Sequence, residues 1–162
     1  MRATHDCLTN EFTVELNLIG EHLDPERVTA ILGLRPLRTA RAGDARSTPN
    51  GGCYQEGFWI HEVVSNDDIH ECRDHLLNRL ADAVAPHTRQ LSDAGVERIY
   101  FYYTMSSSIG LLNIRFKAQT MEKLSRLGAD LYVSCYDCFD PKHPYWNILA
   151  EPSNNGAAGE GR

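Results

Sequence analysis

Long apolar runs are missing from this sequence. The opening residues Met1 to Cys7 lack the apolar stretch of a signal peptide, and no segment approaches the length of a membrane span. A basic balance is missing as well. Sixteen Lys and Arg against 22 Asp and Glu leave a formal net charge of −6, so the chain carries no electrostatic footprint for duplex nucleic acid or an anionic membrane. Cysteines stand at 7, 53, 72, 135 and 138. Their odd number, without an export signal, points to reduced thiols in a cytoplasmic protein rather than a disulfide framework. Catalytic signatures are also lacking: there is no G-x-S-x-G elbow, P-loop, G-x-G-x-x-G or H-x-E. His70 and His75 are five residues apart, about 140° around a helix, and so cannot share a zinc-binding face. No catalytic residue is assigned, and an enzyme is the less favoured of the readings the chain leaves open.

What remains suits one globular domain over residues 1–150, followed by a tail over 151–162 with nothing to fill a core. Glu11 to Ile19 alternates strictly, with Phe12, Val14, Leu16 and Leu18 on one face and Glu11, Thr13, Glu15 and Asn17 on the other. That is a strand buried on one side. Asp24 as N-cap, Pro25 at the first turn and Gly33 as the stop frame a short helix. Residues 35–56 read as a loop, and Gly57 to Val64 as a second strand with an ambiguous face. Ile69, Cys72, Leu76, Leu77, Leu80 and Val84 predict the longest helix, starting near Asp67 or Asp68 and breaking at Pro86. A second helical segment then runs from Pro86 to Gly95. Ile99–Met105 and Leu111–Ala118 read as a hairpin around Ser106–Gly110. A helix carrying Met121, Leu124 and Leu127 ends at Gly128, before a last strand with Leu131, Val133 and Cys135.

The order β-α-β-α-β-β-α-β predicts an α+β two-layer sandwich, a mainly antiparallel sheet of about five strands with helices on one face. Ile19-Gly20, Leu23-Asp24-Pro25-Glu26, Leu32-Gly33-Leu34-Arg35-Pro36, Gly43-Asp44, Gly57-Phe58-Trp59, His75-Leu76-Leu77 and Leu127-Gly128-Ala129-Asp130-Leu131 stand in a telling order. Through them the chain resembles the bacterial domain-of-unknown-function family 4279 over roughly residues 12–136. The resemblance implies the fold and no activity. By analogy of fold alone, such small domains serve as accessory or immunity-like modules.

The outer sheet face is the first candidate surface for a protein partner or self-association. There Tyr100, Tyr102, Tyr132 and Tyr136 are expected beside Arg115, Lys117 and Asn113, with Trp59 or His61 joining them. Rings among basic groups suit a flat protein partner, and alternatively single-stranded RNA bases. Phe139, Tyr145, Trp146, Ile148 and Leu149 offer a cover of their own for this face. The second surface is the arginine-bearing loop of Arg35, Arg38, Arg41 and Arg46, with guanidinium groups suited to carboxylate or phosphate. A further alternative is a zinc-binding protein or enzyme using Cys135, Cys138 and His143. It lacks a second half-site, and a core or rim cysteine pair is the preferred reading.

Overall fold

The alternation of the first strand decides where everything else goes. In a computed structural model, which describes residues 11–47, 51–65, 74–107 and 115–137, β1 (Glu11–Gly20) buries Phe12, Val14, Leu16 and Leu18. It is the middle strand of a five-stranded sheet. Along the chain follow α1 (Pro25–Leu32), β2 (Arg38–Ala40), β3 (Gly57–Ser65), α2 (Asp74–Val84), α3 (Thr88–Asp93), β4 (Arg98–Ser107), α4 (Ala118–Arg126) and β5 (Asp130–Asp137). The strands lie in the order β2-β3-β1-β4-β5. β1 is antiparallel to both β3 and β4, β2 is antiparallel to β3, and β5 runs parallel to β4. The class is α+β, as the sequence implies. Among the described residues no helix is long and apolar enough to cross a membrane.

The helices share one face of the sheet. Val28 of α1, Leu76, Leu77, Leu80, Ala81 and Val84 of α2, Leu91 of α3 and Leu124 of α4 form one core with the inward residues of the strands. α1 has the predicted punctuation: the Arg27 N–H donates to Asp24 Oδ1 at 3.3 Å, and Gly33 closes the helix in the left-handed conformation at φ 64°. Pro86 ends α2 in a 3₁₀ turn, Ala85–His87, and α3 follows it.

The expected hairpin is not found among the described residues. β1 occupies one edge of β4 and β5 the other, leaving no edge for an antiparallel strand from Leu111 to Ala118. Residues 108–114 lie outside the described residues, 115–117 are irregular, and Ala118 already opens α4. The Phe116 ring packs edge-on against Tyr103 at 5.5 Å, on the core side. α4 has no capping side chain of its own, since its N-cap residue is Lys117. The buried carboxylate of Asp74 replaces it across the helix pair. Asp74 Oδ2 accepts the Lys117 backbone N–H at 2.6 Å and the Thr120 hydroxyl at 3.0 Å. Lys123 Nζ donates to Asp82 at 2.7 and 2.9 Å, making a second tie between α4 and α2.

A second departure is β2, a three-residue edge strand inside the stretch expected to be loop. The expected start of α2 near Asp67, the aromatic segment 139–150 and the tail 151–162 lie outside the described residues.

One close approach fixes the corner after β1. The Glu97 N–H donates to the Ile19 carbonyl, and the Asp24 N–H to the Ala94 carbonyl, both at 2.9 Å. Between them two glycine backbones meet: a Cβ on Gly20 would lie 1.9 Å from the Gly95 carbonyl oxygen, and one on Gly95 2.2 Å from that of His22. Gly95 also sits at φ +85°. Gly95→Ala therefore combines backbone strain with a clash, and should cost more than about 3 kcal/mol in urea unfolding. Gly33→Ala, where a Cβ meets open space, should cost only about 1–2 kcal/mol. Equal losses would contradict the close approach. Asp74→Ala, which strips two donors of their acceptor, should lower stability by roughly 1–3 kcal/mol; an unchanged urea midpoint would rule out its capping role.

Candidate functional site

Among the described residues the other face of the sheet carries no helix, and this helix-free face is built by the alternate residues of the same strands. Because β1 is central, its polar set Thr13, Glu15 and Asn17 lies in the middle of that face, flanked by β3 and β4. Glu15 pairs with Glu62 on one side and Tyr102 on the other. Asn17 pairs with Ile60 and Tyr100, and Arg38 of β2 pairs with Ile60 from beyond. These residues, with Thr13 and Thr104, line a shallow hollow of about 470 Å³.

Next to it the tyrosines form a connected group. The Tyr132 ring meets Tyr100 edge-on at 5.4 Å and stacks on Tyr102 at 6.1 Å. Tyr102 Oη and Ser134 Oγ are hydrogen-bonded at 2.8 Å, which fixes the Tyr102 ring. Tyr132 itself is 52% exposed. Burial first, and the Glu15 carboxylate second, push the Tyr100 hydroxyl above the usual tyrosine range, while Arg98 and Arg38 act against that rise.

Two features of the hollow run against ordinary sheet construction. Asn17 is only 2% exposed, and among the described residues its Nδ2 has no hydrogen-bond partner, although buried polar groups are nearly always satisfied. Glu15 and Glu62, half-buried, stand directly opposite one another. Like charges in that position destabilise a sheet, and among the described residues neither has a cation in salt-bridge contact.

The structure groups Tyr100, Tyr102 and Tyr132 on one face, and Arg38, expected on a separate arginine loop, lines the same hollow. Asn113 and the side chain of Tyr136 lie outside the described residues, and the remaining candidates on this face are placed elsewhere. Trp59 is a correction: it is fully buried on the helix side, its indole N–H donating to Thr29 Oγ1 at 2.9 Å and its ring stacked on His61 at 6.0 Å. The Phe58-Trp59-Ile60 run left its face open, and the pairing of Trp59 with Leu18 settles it. His61 faces the same way, donating from Nδ1 to the Arg35 carbonyl at 2.7 Å. Arg115 and Lys117 precede α4 instead of joining a strand beside Tyr102. Arg115 is exposed there, and Lys117 borders a different hollow of about 490 Å³ with Asp74, His75, Asn78, Arg79 and Asp82.

The arginine loop is divided among separate contacts. Arg41 reaches Asp24 at 3.1 Å and also Glu26, tying the loop to the start of α1. Arg46 lies over the Tyr54 ring at 5.2 Å. Cys138 and His143, like the side chain of Cys135, lie outside the described residues. Among the described residues no group of three or more His, Cys, Asp or Glu could hold a metal ion.

Sequence reasoning missed Glu15, Glu62, Asn17 and Ile60. The signal for half of them was present, because Glu15 and Asn17 belong to the polar face of β1. Their partners depend on the β1–β3 register, which no local pattern encodes. No curated protein and no solved structure matches the chain. The family model described as Domain of unknown function (DUF4279) matches residues 10–138, from β1 through β5, and the chain belongs to that family.

Proposed function

We propose that this domain is a non-catalytic protein-binding module that holds its partner on the helix-free face of the sheet. The observation that carries the reading is Asn17, a buried amide without a partner among the described residues, in a hollow lined by Tyr100 and Tyr102 beside the exposed Tyr132 ring. Tyrosines supply large, rigid contact area with a polar tip, the composition of interface centres. The face also has the means to fix an orientation, since Arg38 and the Glu15–Glu62 pair put opposite charges at different points of one hollow. The same carboxylates weigh against single-stranded RNA, whose phosphates they would repel. The exposed free thiol of Cys53 supports a reducing, cytoplasmic setting.

The test is affinity capture from the source cells with the parent chain and with Tyr132→Ala. Tyr132 is half exposed, so its truncation should leave cooperative melting intact. Captured protein should fall about tenfold or more, as for the loss of a central aromatic anchor. Capture at the parent level by a folded Tyr132→Ala protein would remove the sheet face from the account.

A further inference from the structure

The hollow also indicates what kind of group it takes. We propose, resting on the binding-module reading above, that it receives a basic side chain of a partner peptide. The lysine or arginine cation sits between Glu15 and Glu62 against Tyr102, and the Asn17 amide donates to a peptide carbonyl.

Two independent features converge on this occupant. The first is the opposed carboxylate pair in β1 and β3. Alone it weakens the sheet, and a cation between the two turns repulsion into attraction. The second is Asn17, two residues along β1 from Glu15 and on the same face. Its unpartnered Nδ2 is a donor in a nearly closed position, calling for an acceptor from outside. A basic residue in a peptide carries both complements, an ammonium or guanidinium group and a nearby carbonyl oxygen. Tyr102 contributes a ring beside Glu15, and rings attract cations over their faces. Glu15 also acts on Tyr100, raising its hydroxyl after burial, so its field reaches the rings. Arg38 stands opposite Ile60, two residues along β3 from Glu62, roughly 7 Å along the strand. It bounds the carbonyl end of the hollow and leaves the carboxylate end to the incoming cation.

The occupant is testable with small probes on the full chain. Backbone amide shifts are followed by NMR during titration with acetyl-Gly-Lys-Gly-amide and acetyl-Gly-Arg-Gly-amide. Acetyl-Gly-Gln-Gly-amide and an oligouridylate serve as controls. The basic peptides should move the signals of Glu15, Asn17, Glu62 and Tyr102, and the glutamine peptide should not. In the double variant Glu15→Gln, Glu62→Gln the response should weaken at least about tenfold, the size of one good ion-pair contact. That variant should melt no lower than the parent, because it removes a like-charge pair. Equal shifts from the glutamine peptide, or shifts from oligouridylate alone, would overturn the proposal. If the double variant still captures the cellular partner at the parent level while Tyr132→Ala does not, the binding face stands and the cation site falls.

Discussion

β1 uses both edges of its backbone on hydrogen bonds to β3 and β4, and so its side chains alone determine what each face of the sheet becomes. Because the strand period is two, a slip of one residue would carry Phe12, Val14, Leu16 and Leu18 into water and Glu15 and Asn17 into the core. The apolar set anchors one contiguous core with residues from all four helices. The glycine contact between Gly20 and Gly95 marks the end of that register, where the chain leaves the sheet and α3 returns to it. Only two backbones without side chains can pass at that distance.

The same constraint produces the site. Once Leu16 and Leu18 are fixed inward, Glu15 and Asn17 must face outward between two full-length neighbours. The register then sets Glu62, Tyr100 and Tyr102 against them. The tyrosine cluster extends onto β5 because that strand is parallel to β4 and brings Tyr132 level with Tyr102. The helical layer is secured independently of this face, through Asp74 as the borrowed cap of α4 and the Lys123–Asp82 contact. The hollow therefore lies on a rigid sheet with its polar groups already positioned, which lowers the ordering cost of binding.

Local chemistry was readable from the sequence and pairing was not. The caps of α1, the stripe of α2 from Leu76 to Val84, the break at Pro86 and the stop at Gly128 each depend on a few adjacent residues, and each is found where the sequence puts it. The expected hairpin rests on the alternation of Leu112, Ile114 and Phe116, whereas Phe116 in the structure packs against Tyr103 ahead of a helix. Trp59 sits in a continuous apolar run, so period-two reasoning could not choose its face. The arginine-rich loop looked like a binding patch because charge in a sequence does not reveal its partner. Arg41 has Asp24 and Glu26 within the same chain. At the site, the tyrosines were visible as strand aromatics, but the Glu15–Glu62 opposition exists only through contacts remote in sequence.

The central claim is that the helix-free face is the working surface of the domain. A photo-crosslinking amino acid placed at position 132, with position 79 on α2 as the control, tests it in living cells. The account predicts covalent adducts to a separate protein from position 132, mapped to a segment carrying lysine or arginine, and none from position 79. Adducts from position 79 alone, or crosslinks from position 132 confined to the chain itself, would contradict it.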